Sequence, residues 1–301
     1  MDQRGPELTL SGLQASRISL PPLPAVLLGM VSVQGGAALA KGLFPVLGPV
    51  GTVSLRIALS ALILTLVYRP SFGSFGPQQW RAVVPYGVVL GMMNLSFYLA
   101  LARIPLGLAV TLEFTGPLAV AVFASRRVQD FLWILLAATG IALIAPWSAG
   151  SNVDGHGVLL ALVAGVCWAL YIVLGARVSR LFASGAGVAT GMWFATLAIL
   201  PVTLGTHSLT HVNSKLLIAG LGVAILSSAL PYSLEMIGLR AMPARTFGIL
   251  MSVEPAIGAL SGMVFLRERL SLQQWLAVLL VISASAGSTL TTRKRDIAPE
   301  A

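Results

Sequence analysis

Residues 112–117 read LEFTGP and residues 252–255 read SVEP, so each half of the chain carries a glutamate and a proline inside an apolar stretch. When Pro117 is superimposed on Pro255, an offset of 138 residues, Glu113 and Glu254 fall three residues apart, about one helical turn. This pattern predicts a duplicated chain with carboxylates near helix breaks, an arrangement typical of transporters. At the same offset three further pairs coincide: Pro105 with Pro243, Leu101 with Leu239, and Asp130 with Glu268.

Composition assigns the chain to the membrane. Of its 301 residues, 56% are hydrophobic and 10% are charged, and the mean hydropathy is +0.89. A globular domain carries about 25% charged residues, so we expect an integral membrane protein. The single cysteine, Cys167, excludes an intramolecular disulfide and a cysteine-rich metal site. The net charge of +9 comes from basic residues between apolar stretches, which we interpret as determinants of topology.

Apolar stretches long enough to cross a bilayer as helices, about 20 residues each, recur along the chain. We expect an all-α integral membrane protein of ten transmembrane helices, the first of them uncleaved because no cleavage signal accompanies it. The predicted spans are residues 23–41, 50–68, 82–102, 106–125, 131–149, 156–175, 187–205, 215–236, 245–266 and 272–291.

Basic residues are distributed unevenly between the two ends of these spans. Thirteen fall on one side and five on the other, and Arg56 lies inside a span, which accounts for all 19. The positive-inside rule then puts both termini in the cytoplasm. The five on the outer side are Lys41, Arg103, Lys215, Arg267 and Arg269.

Each half of the chain holds five spans, an odd number, so the second half enters the membrane from the opposite side. We therefore expect two inverted repeats, residues 23–149 and 156–291, between cytoplasmic tails at 1–22 and 292–301. Inverted repeats place a substrate site near the midplane and work by alternating access. The small-residue patterns Gly87-x-x-x-Gly91 and Gly258-x-x-x-Gly262 favour close helix packing, either within the bundle or in a homodimer.

A carboxylate in the bilayer is costly unless it is protonated, paired or exposed to a water-filled cavity. The functional hypothesis is that Glu113 or Glu254 binds a substrate ammonium or exchanges a proton. The alternative is a structural carboxyl that pairs with Arg56 or caps backbone freed by a proline. Candidate helix breaks are Pro117, Pro255 and Pro231.

Polar and aromatic residues on other spans can hold the remaining groups of a small zwitterion. Arg56 can hold a carboxylate in a bidentate pair, with Gln34 and Lys41 as further candidates. Interhelical hydrogen bonds, snorkelling and packing are the alternatives at these positions. The remaining substrate- or proton-binding candidates are Asn94, Tyr98, Tyr171, Ser228 and Tyr232.

Several functional classes are excluded by missing motifs. The chain has no phosphate-binding G-x-x-x-x-G-K-[ST] loop and no H-E-x-x-H motif, and its lone cysteine has no partner set for catalysis. We therefore predict that the protein is not an enzyme and uses no cofactor. His207 and His211 share i, i+4 spacing without a third ligand nearby, so no metal site is predicted.

Five motifs of the chain are more specific than a generic helix pattern: residues 32–41 (SVQGGAALAK), 112–121 (LEFTGPLAVA), 125–127 (SRR), 229–236 (ALPYSLEM) and 245–256 (RTFGILMSVEPA). They resemble the threonine/homoserine exporters of the EamA family, within the drug/metabolite transporter superfamily. The resemblance covers residues 23–292 and implies a multi-pass protein of the bacterial inner membrane with two EamA repeats, which exports small amino acids by proton-coupled efflux.

The sequence is also compatible with two alternative functions. Related exporters of the superfamily handle aromatic amino acids or a broad range of drugs and metabolites, and these are the alternative substrate classes. A membrane scaffold or sensor without transport activity is the alternative of another class. It fits poorly, because a scaffold gains nothing from buried charge at two repeat-related breaks.

Overall fold

The structure is a computed structural model that describes residues 21–123, 129–144, 153–182, 185–210, 212–231, 234 and 250–291. These residues form α-helices and short helical turns, with no strand among them. The helices are α1 Pro22–Gly42, α2 Phe44–Tyr68, α3 Pro77–Leu101, α4 Leu106–Glu113, α5 Thr115–Phe123, α6 Gln129–Ile144, α7 Gly155–Leu181, α8 Ala186–Gly205, α9 Ser214–Ala224, α10 Glu254–Leu266 and α11 Leu272–Thr291.

Five of these helices, α1, α2, α3, α7 and α8, are long and apolar enough to cross a membrane. Shorter apolar helices of 10–17 residues lie within the other five predicted spans. The all-helical membrane class is thereby confirmed. The count of ten spans stays a prediction.

The fourth predicted span is interrupted at Phe114, three residues before the candidate helix break Pro117. Helix α4 ends at Glu113, α5 begins at Thr115, and Pro117 lies in the first turn of α5. Pro117 has no N–H to donate to the Glu113 carbonyl, four residues earlier, so a continuous helix would lose a hydrogen bond here. A glutamate therefore occupies the last position of a short helix.

A second interruption precedes α10. Ser252 and Val253 form a turn, and α10 begins with Glu254 followed by Pro255 at its second position. Proline is favoured at such a position because the first N–H groups of a helix have no intrahelical partner. The second glutamate thus begins a helix, whereas Glu113 ends one.

The eighth predicted span contains the candidate helix break Pro231. Just before it, α9 continues into a π-helical turn, Ile225–Ala229, in which the N–H of Leu230 bonds to the carbonyl of Ile225. Pro231, two residues beyond the turn, cannot donate to the Ser227 carbonyl, which gives the helix a physical reason to loosen here.

Helix α3 lies at the centre of the described bundle, packed against α7 and α8. Helix α2 packs on α8 and α9, and α1 packs on α9, its π-helical turn and α10. Helix α4 packs on α7 and α10, α5 packs on α7, and α6 packs on α11. This arrangement surrounds the two helix interruptions with the central parts of α1, α2, α3 and α7.

Glycines permit the closest of these contacts. A Cβ on Gly91 would stand 3.0 Å from the Cα of Ala195 on α8, and one on Gly107 would stand 2.7 Å from the Cβ of Ala259 on α10. Gly87 faces Gly191 of α8, and Gly258 faces Val110 of α4. Both small-residue patterns of the sequence therefore serve packing inside the bundle.

Some predicted features lie outside the described residues. They include the candidate Tyr232, His211 and the side chain of Asp130, together with Leu239, Pro243 and residues 1–20 and 292–301 of the tails.

Candidate functional site

A cavity of about 280 Å³ lies between the central helices, at the level of the two helix interruptions. It collects most of the predicted binding candidates, which come from sequence positions more than 200 residues apart. Its polar lining is Gln34, Arg56, Asn94, Tyr98, Glu113, Tyr171, Ser227, Ser228 and Glu254; its apolar lining includes Val33, Leu90, Met93, Phe97, Val110, Trp168, Met192, Pro231 and Met251.

Arg56 forms a positive pole of this cavity. It lies in the middle of α2 and is 8% exposed. Its Nη2 donates to the Oδ1 of Asn94, whose Nδ2 in turn donates to the Leu90 carbonyl at 2.8 Å. The guanidinium carbon lies 5.1 Å from the ring centroid of Tyr98, a cation–π contact. Because Asn94 and Tyr98 are one turn apart on α3, they hold the guanidinium from one helix face.

Part of this pole remains available to a ligand. The Nε of Arg56 and the hydroxyl of Tyr98 are buried, and neither has a hydrogen-bond partner within the described part of the chain. Both groups can donate hydrogen bonds, which suits an anionic group such as a carboxylate.

The two glutamates form a negative pole. Glu113 and Glu254 are 8% and 6% exposed, and Glu113 lies close enough to Glu254 and Arg56 to interact electrostatically with both. Gln34 donates from Nε2 to the Oε1 of Glu254 at 3.1 Å. Its own Oε1 is buried without a partner among the residues described. The three charged groups carry one excess negative charge when all are ionised.

The helix ends treat the two glutamates differently. Glu254 lies in the first turn of α10, where the partial positive charge of the helix stabilises a carboxylate. Glu113 lies at the last position of α4, one residue before α5 begins, so it does not sit in the first turn of a helix as Glu254 does. Within the described residues its carboxylate accepts no hydrogen bond, so its charge depends on a nearby cation.

Serines of the π-helical turn form a third side of the cavity. The hydroxyl of Ser228 hydrogen-bonds with that of Ser60 on α2 at 2.9 Å, and the carbonyl of Leu226 accepts from Ser32 on α1 at 2.7 Å. The Ser227 hydroxyl is buried and has no partner in the described ranges.

Aromatic rings close the cavity toward α7. Trp168 meets Phe114 edge to face with centroids 5.6 Å apart, and Tyr171 stacks on Tyr86 at 5.0 Å. Tyr171 thus lines the cavity with a ring that is already packed, which restricts its motion.

The chain was compared with known proteins. A profile of the EamA-like transporter family matches residues 155–290. The threonine/homoserine exporter RhtA of Escherichia coli (strain K12) is 49% identical over 276 residues, which cover 91% of this chain and 93% of that protein. The chain belongs to the EamA-like transporter family.

Other comparisons agree with this assignment. The threonine/homoserine exporter RhtA of Salmonella typhimurium (strain LT2) is 47% identical over 274 residues, 91% of this chain and 92% of that protein. The uncharacterized transporter YwfM of Bacillus subtilis (strain 168) is 26% identical over 75% of this chain and 72% of its own length. A crystal structure with 18% identity has a TM-score of 0.59 and covers 91% of this chain and 100% of its own, which supports the fold. The two RhtA proteins and YwfM are transporters and not enzymes.

Lys41, a predicted binding candidate, lies outside the cavity of this EamA-like transporter. Its Nζ lies 2.6 Å from the Oε1 of Glu268 and donates to the Ile104 carbonyl at 3.3 Å. The other oxygen of Glu268 accepts from the N–H of Leu106 at 2.8 Å. Lys41 therefore joins the end of α1 to the start of α4 and to the loop before α11, and it does not line the cavity.

Two functional features of the EamA-like site escaped the sequence analysis. Ser227 was not among the predicted candidates, because in a regular helix two adjacent serines do not face one side. The roles of Gln34 and Glu254 as partners also escaped it, since they lie 220 residues apart. The available signal for the π-helical turn was Pro231, which follows the adjacent residues Ser227 and Ser228 by four and three positions.

Proposed function

We propose that this transporter exports threonine, homoserine and similar small amino acids across the bacterial inner membrane, with both termini in the cytoplasm. The observation that carries the proposal is one small cavity with a positive and a negative pole, in a chain 49% identical to a threonine/homoserine exporter. A volume of about 280 Å³ lies at the lower end of ligand pockets, which span about 300–1,000 Å³. It therefore favours a small zwitterion over a drug-sized molecule.

The substrate carboxylate binds at the positive pole in this proposal. The buried Nε of Arg56 and the hydroxyl of Tyr98 offer two donors on adjacent groups, and Asn94 keeps the guanidinium oriented. Charge-assisted hydrogen bonds of this kind are about twice as strong as neutral ones.

The substrate ammonium binds at the negative pole, and we assign its main partner as Glu113. Glu254 is already stabilised by the Gln34 amide and by the start of α10, so its charge persists without a ligand. Glu113 has neither support, and a cation must balance it. The Oε1 of Gln34 supplies an additional acceptor for the ammonium.

The same carboxylate offers a route to proton coupling. When the ammonium leaves, a proton is the simplest cation to replace it on Glu113, and when a new substrate arrives the proton leaves. Proton entry and substrate exit would then compete for one site, which is the requirement for antiport. The excess negative charge of the cavity supports this scheme, because either the substrate ammonium or a proton is needed to balance it.

Alternating access requires two halves that move against each other, and the helix contacts support an inverted duplication. Equivalent spans pair with each other: α2 with α8, the α4 segment with α10, and α6 with α11. Several other contacts also occur in equivalent pairs: α3 packs on α7 as the α9 segment packs on α1, and α4 packs on α7 as α10 packs on α1. Such reciprocity is expected from a two-fold relation between residues 23–149 and 156–291.

Competition in proteoliposomes tests the substrate class. Uptake of labelled threonine should be inhibited by unlabelled homoserine at concentrations where phenylalanine and cationic dyes have little effect. Equal inhibition by phenylalanine would favour an aromatic amino-acid exporter instead, which the rings of Phe97, Trp168 and Tyr171 around the cavity would then explain. Equal inhibition by dyes would indicate a broad-range exporter, and vesicles that move no amino acid would revive a scaffold or sensor.

A further inference from the structure

The unpartnered polar atoms of the cavity fall on three sides. On the α2–α3 side are the Arg56 Nε and the Tyr98 hydroxyl, and on the α1 side is the Gln34 Oε1. The third is the Ser227 hydroxyl on the π-helical turn. Buried polar atoms in folded proteins are almost always satisfied, so in a binding cavity such atoms are expected to meet the ligand or its water.

Two of these sides are accounted for by the proposed function, on which the following inference rests. A pair of donors suits the substrate carboxylate, and an acceptor beside the glutamates suits the ammonium. Every α-amino acid carries these two groups, so neither side distinguishes one small amino acid from another. The Ser227 hydroxyl is therefore left to contact the substrate side chain, which is the part that differs between amino acids.

The π-helical turn holds Ser227 in place from both sides. Ser32 binds the carbonyl of Leu226, and Ser60 binds the hydroxyl of Ser228, so the residues before and after Ser227 are tied to α1 and α2. Gly36 of α1 gives the turn its room, because a Cβ there would stand 3.2 Å from the Ser227 amide nitrogen and would collide with its hydroxyl. The Ser228 hydroxyl is committed to Ser60, whereas the Ser227 hydroxyl is not committed to any described residue.

We propose that Ser227 is a specificity-determining residue whose hydroxyl exchanges a hydrogen bond with the side-chain hydroxyl of the substrate. A serine hydroxyl both donates and accepts, so it suits another hydroxyl in either direction. A site that hydrogen-bonds a hydroxyl rejects an analogue of the same shape that lacks it, because a buried polar group is then left unpaired. Ser227 therefore favours threonine over valine, and homoserine over norvaline.

The test measures counterflow of these four amino acids as two isosteric pairs in proteoliposomes of the full chain. Wild-type protein should prefer threonine over valine, and homoserine over norvaline. In Ser227→Ala the ratio of hydroxyl substrate to analogue should fall about tenfold. The main reason is that valine and norvaline no longer leave a buried serine hydroxyl unpaired, so their transport increases. Ser227→Cys has nearly the same volume and a weaker hydrogen-bonding group, so its ratio should lie between those of wild type and Ser227→Ala.

Ser54→Ala is the matched control, because its buried hydroxyl pairs with Thr203 at 2.6 Å and does not line the cavity. It should keep the wild-type ratio within each pair even if both rates decline. Thermal midpoints of all variants establish that they are folded.

Two results overturn the assignment while leaving the proposed function in place. One is a wild-type protein that moves threonine and valine equally, and the other is a Ser227→Ala variant that keeps the full wild-type ratio. A folded wild-type protein that moves none of the four amino acids refutes the proposed function itself, and the role of Ser227 falls with it.

Discussion

Replacing Glu113 by glutamine tests which glutamate binds the substrate ammonium. The substitution keeps the shape of the side chain and removes its charge at a position that is only 8% exposed. Loss of one partner from a buried, hydrogen-bonded charge pair costs about 2–5 kcal/mol. We take about 3 kcal/mol, because Glu254 and Gln34 remain nearby, and this corresponds to a roughly hundredfold rise in the Kd for threonine.

Glu254→Gln is the matched comparison. The amide of Gln34 can still donate to the new side-chain oxygen, and the lost attraction to the start of α10 is about 0.3–1 kcal/mol. We therefore expect a rise in Kd of less than about tenfold, because the main ammonium partner is intact.

The assay is equilibrium binding of labelled threonine to purified protein, with thermal midpoints as the control for folding. The reasoning predicts that Glu113→Gln weakens binding far more than Glu254→Gln. It would be refuted if Glu113→Gln bound threonine as tightly as wild type, or if Glu254→Gln caused the larger loss.

Three further substitutions test other parts of the account. Arg56→Lys removes the fork that contacts Asn94 and presents a carboxylate with two donors, so threonine counterflow should fall about tenfold or more while the protein remains folded; an unchanged rate would exclude Arg56 from binding. Lys41→Glu places two carboxylates together at Glu268 and should lower stability by about 2 kcal/mol, with partial recovery when Glu268→Lys is added; no recovery would mean that the ion pair itself contributes nothing. Gly91→Val drives a side chain into the backbone of α8, so the thermal midpoint should fall by the equivalent of about 1–3 kcal/mol, and an unchanged midpoint would contradict the close α3–α8 contact.

The sequence predicted the membrane class and the main candidates of the site because both depend on local features. Apolar stretches identify membrane helices by length alone, and an ionisable residue within such a stretch is unusual enough to mark a site. Arg56, Glu113 and Glu254 were found in this way, and the structure brings all three to one cavity.

What the sequence could not provide depends on distances across the fold. Whether Arg56 pairs with a glutamate or with Asn94 is decided by the packing of α2 on α3, which no local pattern reveals. Lys41 carries the same charge as Arg56, yet it forms an ion pair with Glu268 and does not line the cavity.

The different roles of the two glutamates were concealed for a related reason. Their offset of three residues was visible, and it suggested that they share a side of a helix. The structure interrupts the helix between the two equivalent positions, so the same offset puts Glu113 at a helix end and Glu254 at a helix start. A small difference in register therefore gives only Glu254 the stabilising start of a helix.

Counterflow of labelled threonine into proteoliposomes loaded with unlabelled homoserine tests the central claim most directly, namely that the two-pole cavity carries a small zwitterionic amino acid across the membrane. The account predicts transient accumulation of label well above that in protein-free vesicles, and faster uptake when the vesicle interior is made more acidic than the exterior. Uptake that ignores the pH gradient would remove proton coupling from the mechanism. A folded protein that gives no accumulation above protein-free vesicles would contradict the account as a whole.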